Sequence, residues 1–189
     1  GVDLEHFYFR EKISGDKSLI FVGHYPHYPN EDAAVYFCKF IFPLIKNEMP
    51  EVTLRLVGSS PTEEIFKLSA IEGVEVVGTV LDVNAYLQKA GIFVSPFRVG
   101  AGIKGKVLEA MAAGIPVVST TRGSYGINAL NGHNILIADS PDDFAKNVIR
   151  IFKEEDLYKK LSRNGRLLTE KEYDWDRIAG QLDRVYMDV

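Results

Sequence analysis

Between residues 19 and 152 the chain switches repeatedly between two hydrophobic periods, and that switching limits the folds open to it. Leu19-Ile20-Phe21-Val22 is apolar at successive positions and closes on Gly23. A run without polar alternation belongs to a strand covered on both faces. The following stretch places Ala34, Cys38, Ile41 and Ile45 at three- and four-residue steps, one buried stripe of a helix. Asn30 is the predicted cap of that helix, Glu31 and Asp32 favour the positive end of its dipole, and Pro50 ends it. The scheme then repeats. Residues 52–57 read as a strand closing on Gly58, and Ser60-Pro61-Thr62-Glu63 reads as a capping box with proline in the first turn. Residues 74–77 form a third strand, with a helix near 82–89. Residues 92–95 form a fourth, and a glycine-rich loop leads into a helix over 106–113. Residues 117–119 and 135–137 supply the fifth and sixth strands. Ser140-Pro141-Asp142-Asp143 caps another helix, and helical pattern continues to the end.

Strands alternating with helices at this spacing predict a parallel sheet with helices on both faces. No Pro/Ser/Gly linker divides the chain and no repeat is visible, so the 189 residues read as one domain. The expectation is a doubly wound, Rossmann-like α/β fold with six parallel strands and a helical tail over 153–189. In such folds ligands sit beyond the carboxyl ends of the strands. The loops in question are 23–30, 58–60, 78–82, 97–106 and 120–127.

Composition narrows the function classes. With 46% apolar and 25% charged residues, long disorder and fibrous folds are excluded. No apolar run reaches the roughly 18 residues of a membrane helix. The opening Gly1-Val2-Asp3-Leu4-Glu5-His6 has no basic region of a secretory signal. The single cysteine, Cys38, forms no intramolecular disulfide, so a reducing, cytoplasmic compartment is the expectation. A net charge of −4 argues against a general nucleic-acid binder.

That acidic balance conceals a basic stretch. No acidic residue stands between Asp82 and Glu109, while Lys89, Arg98, Lys104 and Lys106 do. The stretch centres on a glycine loop opening a helix, where backbone N–H groups and the dipole favour an anion. A phosphate is the natural guest, and the alternative is a loop with solvated lysines. Gly100-Ala101-Gly102-Ile103-Lys104-Gly105 also spells G-x-G-x-x-G. It follows the fourth strand rather than the first, and Thr120-Thr121-Arg122-Gly123 downstream carries no acid for a ribose, so the dinucleotide reading is weak. Glu109 sits in the apolar stretch Val107-Leu108-Glu109-Ala110-Met111-Ala112-Ala113. A carboxylate there needs donors, either a ribose diol or the protein's own groups. His24 and His27 invite a metal reading, but no third ligand is nearby in sequence and Pro26 stiffens the loop between them. His24 is instead a candidate phosphate contact or a loop histidine stacked among Tyr25 and Tyr28. His6 and His133 read as surface residues. Phe37, Phe40, Phe42 and Tyr36 crowd the first helix and read as core, the alternative being a face that packs against a domain outside this chain.

The run from Pro96 through Gly102 to Lys106-Val107-Leu108-Glu109-Ala110-Met111-Ala112-Ala113-Gly114-Ile115-Pro116-Val117-Val118-Ser119 resembles the carboxyl-terminal, donor-binding half of family 4 retaining glycosyltransferases, which have the GT-B fold. Gly1-Val2-Asp3 resembles the end of that family's interdomain linker, making residues 1–16 a linker segment. Tyr173-Asp174-Trp175 resembles its aromatic break before the last helix. The resemblance implies binding of a nucleoside-diphosphate sugar (UDP-, GDP- or ADP-linked), with no metal or other cofactor. The acceptor, a glycan or lipid, would be held by an amino-terminal domain outside this chain, the route also for any peripheral membrane association. The half alone would then be inactive. By resemblance Glu109 holds the nucleotide ribose, the amides of Gly102 and Ile103 contact diphosphate and sugar, the backbone near Val80 receives the base, and Gly23 lets the phosphates approach.

Two departures stand out. The family pairs two glutamates eight positions apart, and Ala101 occupies the first position. The first loop of the family carries an arginine and a lysine for phosphate where this chain has His24 and Asn30. Arg98, Lys104 and Lys106 are the residues able to replace that charge. A non-catalytic binding module on a degenerate scaffold, a nucleotide-sugar epimerase and a dinucleotide-dependent oxidoreductase are the rival readings.

Overall fold

The computed structural model describes residues 1–10 and 17–180. Six parallel strands form one sheet: β1 Ser18–Val22, β2 Thr53–Val57, β3 Val74–Gly78, β4 Ile92–Ser95, β5 Val117–Ser119 and β6 Leu136–Ile137. Their spatial order is β3-β2-β1-β4-β5-β6. The chain therefore builds outward from β1 on one side, then returns to build outward on the other. The reversal falls between β1 and β4, which pair through Leu19–Ile92 and Ile20–Phe93. The loops leaving those two strands diverge there and open a crevice.

The apolar runs are buried on both faces because successive side chains point to opposite sides of the pleat. Leu19, Phe21, Leu54, Leu56 and Val94 pack into one core. That core also holds Phe37, Phe42 and Ile45 from the helices following β1, and Phe144 and Val148 from the helix Pro141–Lys153. Ile20, Val22, Phe93 and Val117 face the other way, against Val107, Leu108 and Met111.

The helices are α1 Tyr28–Tyr36, α2 Phe42–Glu48, α3 Glu63–Lys67, α4 Asn84–Leu87, α5 Gly105–Ala112, α6 Pro141–Lys153 and α7 Glu155–Glu172. Three expectations at their ends are corrected. The cap of α1 is His27 rather than Asn30, and no side chain bonds its first amides. Asn30 lies inside the first turn and donates from Nδ2 to the His24 carbonyl at 2.8 Å. The cap of α3 is Thr62 rather than Ser60, its hydroxyl accepting from the Ile65 amide at 3.3 Å. The expected helix over 82–89 shrinks to Asn84–Leu87, with Asp82 Oδ1 accepting from the Asn84 amide at 2.8 Å. Ser140 caps α6 as expected, accepting from the Asp143 amide at 3.2 Å.

Between α1 and α2 the chain makes a π-helical turn over Phe37–Ile41, in which the Phe42 amide donates to the Phe37 carbonyl five residues back. Pro43 accounts for it: proline has no N–H for the carbonyl four residues earlier, and the widened turn absorbs the defect. The wide turn buries Phe37 and Phe42 but leaves Phe40 56% exposed, so that ring is not core. Tyr36 is half-buried, its ring 5.6 Å from that of Phe40.

The first residues lie outside the sheet. Val2 is buried and bridges Asp174, its amide donating to the Tyr173 carbonyl at 2.7 Å. The aromatic break at Tyr173-Asp174-Trp175 thus grips the start of the chain, and helix resumes at Trp175. Residues 11–16 of the expected linker and 181–189 of the tail lie outside the described residues. Among the described residues no helix is long and apolar enough to cross a membrane.

Candidate functional site

The crevice at the β1/β4 reversal holds a cavity of about 320 Å3. One wall is the loop after β1, with Gly23, His24, His27 and Asn30, and the other is the loop from β4 into α5. The second wall supplies Phe97, Ala101, Ile103, Lys104, Gly105 and Lys106. The volume falls within the roughly 300–1,000 Å3 of small-molecule sites.

The glycines of these loops have distinct tasks. A Cβ at Gly58 would stand 1.7 Å from the Gly23 carbonyl oxygen, and Gly58 has φ +148°. The loops after β1 and β2 therefore touch backbone to backbone, with the Gly23 amide bonded to the Val57 carbonyl at 3.1 Å. Gly102 has φ +78° and faces open space. Its role is conformational: the left-handed turn directs the chain over the cavity before α5 begins. Helix α5 starts at Gly105, and Lys104 at its cap makes no side-chain capping bond. The Val107 amide donates to the Lys104 carbonyl at 2.9 Å, which leaves the amides of Gly105 and Lys106 for a ligand at the positive end of the dipole.

The charged residues divide between two places. Lys104 lines the cavity, Nζ donating to the Ala101 carbonyl at 3.0 Å and lying 5.0 Å from the Phe97 ring centre. Burial and then the nearby Arg122 hold its pKa below the usual lysine value. Lys106 also lines the cavity and donates to both carboxylate oxygens of Glu109, at 2.7 and 2.9 Å. The donors Glu109 requires thus come from its own helix. Its side chain keeps 17% exposure and is not among those that line the cavity. Arg98 stands apart. Its guanidinium forks onto Asp32, with Nε to Oδ2 at 3.2 Å, and stacks 4.4 Å over the Tyr36 ring. It lines a neighbouring cavity rather than the crevice. The Asp32 hydrogen bond raises its pKa above the usual arginine value.

His24 is exposed, its Nδ1 2.8 Å from the Ser59 hydroxyl oxygen, and it makes no stack on Tyr25 or Tyr28 among the described residues. Tyr25 is buried and donates to the Val57 carbonyl at 3.3 Å. His24 and His27 share the cavity, but among the described residues no group of three or more His, Cys, Asp and Glu side chains converges as metal ligands. Val80 is half-buried and lies just past β3 at the rim of the carboxyl edge, outside the cavity lining. His6 and His133 are exposed, and His6 Nε2 lies 3.2 Å from Asp82 Oδ1. Sequence reasoning named the loop over 120–127 but none of its side chains as a site. The structure sets Arg122 and Tyr125 from that loop beside Asp139, in the same cavity as Arg98.

A parallel sheet of this order, with a crevice and a helix start at its reversal point, defines a Rossmann-like domain of the doubly wound class. Comparison with known proteins makes the class specific. The chain belongs to the glycosyl transferases group 1 family, whose model matches residues 16–154. A phosphatidyl-myo-inositol mannosyltransferase of Mycobacterium tuberculosis is 25% identical over 205 residues, covering 100% of this chain and 53% of that protein. An uncharacterised 44.6 kDa protein from the cps region of Klebsiella pneumoniae is 26% identical, covering 87% of this chain and 45% of that protein. The chain thus spans about half the length of these relatives. Among solved structures, Anabaena HepE in complex with UDP superposes with TM-score 0.80 at 13% identity, covering 100% of this chain and 56% of that one. The C-terminal domain of the Francisella tularensis glycosyl transferase LpcC superposes with TM-score 0.71 at 18% identity, covering 93% of this chain and 100% of that one. The fold is that of the C-terminal half of a GT-B glycosyltransferase.

Proposed function

We propose that this chain is the donor-binding half of a retaining glycosyltransferase and that the crevice between β1 and β4 receives a nucleoside-diphosphate sugar. The observation that carries the reading is the convergence of Lys104, Lys106 and the free amides of Gly105 and Lys106 on one cavity at the sheet's reversal point. The nucleotide complex of HepE supports it by likeness of fold. In this reading the diphosphate lies against Lys104, Lys106 and the amides of Gly102 and Ile103, with Gly23 and His24 on the opposite wall. Glu109 takes the ribose hydroxyls, and the backbone near Val80 faces the base.

The bond from the anomeric carbon to the diphosphate breaks, and one to an acceptor hydroxyl forms on the same face of the sugar. Negative charge grows on the departing diphosphate, so preorganised cations and amides there stabilise the transition state. The reacting hydroxyl of the acceptor and any groups acting on it are held by a domain outside this chain, and the 189 residues alone bind donor without turnover. Arg98 is left out of the donor set in this reading because it lines the neighbouring cavity rather than the crevice. The charge expected of the first loop is carried across the crevice by Lys104 and Lys106. Calorimetric titration with UDP, GDP and ADP tests the reading. One of them binds at sub-millimolar concentration, and absence of heat with all three at millimolar concentration overturns it.

A further inference from the structure

A second cavity, of about 480 Å3, opens at the carboxyl ends of β4, β5 and β6. Phe97 lines both cavities, so the second adjoins the donor crevice. Tyr36, Phe97 and Tyr125 give it aromatic walls, and Tyr125 is 61% exposed. Arg98, Arg122 and Asp139 give it a polar side.

The charges decide what it suits. Arg98 is neutralised by Asp32, whose side chain is only 9% exposed. Arg122 is left with Asp139 as its formal counterweight, so the lining has no large excess of either sign. Asp139 spends one lone pair of each oxygen on Thr121, accepting its amide at 2.8 Å and its hydroxyl at 2.8 Å. Those bonds fix the carboxylate while leaving acceptor capacity. The Arg122 side chain has no hydrogen-bond or ion-pair partner among the described residues, so its donors are free. A ligand that offers donors and acceptors together, with apolar C–H faces for the rings, is a sugar. A phosphate would meet Asp139, and a cation would meet Arg122.

We propose that this second cavity seats a neutral hexose unit of the acceptor glycan beside the donor crevice. The assignment of that hexose to an acceptor rests on the transferase reading above. A cavity of this size accommodates a sugar ring with part of its neighbour. Tyr125 is the platform, Asp139 and Arg122 hold hydroxyls, and the Arg98–Tyr36 stack forms the rigid back.

The test is saturation-transfer NMR on the 189-residue chain with methyl glucoside, methyl mannoside and methyl galactoside, each with and without UDP. At least one glycoside gives a signal that persists when UDP is saturating. Tyr125→Ala weakens that glycoside about tenfold, roughly 1.4 kcal/mol, while UDP binding is unchanged. Asp139→Asn, which keeps the bond to the Thr121 amide, is the milder second variant, and it too weakens the glycoside. The proposal is overturned if no glycoside gives a signal, if UDP abolishes it, if Tyr125→Ala leaves it intact in a folded protein, or if inorganic phosphate displaces the sugar. Failure of UDP, GDP and ADP alike to bind while a Tyr125-dependent glycoside signal remains overturns the donor reading and the word acceptor, and leaves a saccharide site.

Discussion

The sharpest perturbation separates two jobs of one ion pair. Lys106 Nζ reaches both oxygens of Glu109, at 2.7 and 2.9 Å, from three residues earlier on the same helix. Lys106 is 45% exposed and Glu109 17% exposed. A pair this close to solvent contributes only about 0.3–0.5 kcal/mol to the fold. Glu109→Ala should therefore move the melting temperature by only about 1–2 °C. Its effect on the ligand should be far larger. A carboxylate accepting from a ribose diol contributes about 1.5–3 kcal/mol, so nucleotide affinity should fall roughly 12- to 150-fold. Lys106→Ala then distinguishes two roles for the lysine. A lysine that holds the diphosphate loses about tenfold or more in affinity when removed. A lysine that merely occupies Glu109 releases the carboxylate, and affinity rises by about twofold. Calorimetric titration of both single variants and the double variant measures this, with circular dichroism to establish folding. If Glu109→Ala folds and binds nucleotide as tightly as the unaltered chain, the ribose assignment is refuted.

Gly58→Ala would press a Cβ to 1.7 Å from the Gly23 carbonyl at φ +148°, and should cost about 3 kcal/mol or more, read as a fall of at least about 6 °C in thermal melting. Lys104→Met should leave stability at neutral pH unchanged or slightly higher while weakening nucleotide binding. Burial depresses the pKa of Lys104, so its protonated form opposes folding. That opposition fades as pH rises through the lowered pKa, so the stability difference between the two proteins, followed by denaturant melts across alkaline pH, should shrink. Burial pushes the Cys38 thiol up to about 12, so alkylation by iodoacetamide at mildly alkaline pH should proceed only through opening of the native state, and fast labelling of the folded chain would contradict the packing.

The six strands were legible as short apolar runs, unbroken at residues 19–22, 92–94, 117–118 and 135–137 and interrupted only by Arg55 in β2 and Glu75 in β3, a pattern that in an α/β chain has few other solutions. Helix starts were less legible. Asn30 and Ser60 have capping chemistry, yet His27 and Thr62 hold the cap positions. In the first case Asn30 spends its amide on the His24 carbonyl, which braces the loop after β1 against the helix. Exposure of Phe40 was also hidden, because a steady 3.6-residue period does not foresee a π turn at Pro43.

The candidate site was legible as a loop and only partly as a set of side chains. A basic stretch in sequence names Arg98, Lys104 and Lys106 together, since they lie within nine positions of one another. The fold separates them, because Asp32, 66 residues earlier than Arg98, reaches across from α1 and turns that guanidinium away. The same long-range pairing prepares the second cavity, by holding Arg98 flat against Tyr36. The β1/β4 reversal explains why the loss of cations from the first loop need not empty the crevice of charge. The two loops face each other across one cavity, so a positive charge removed at His24 or Asn30 can be supplied from Lys104 or Lys106 at little geometric cost. Ala101 is different: among the described residues no carboxylate lines the crevice in its place. The charge can migrate between walls, whereas a carboxylate contacting a sugar ring has to stand at one point. Donor sugar selection is therefore where this chain should differ most from relatives that keep both glutamates.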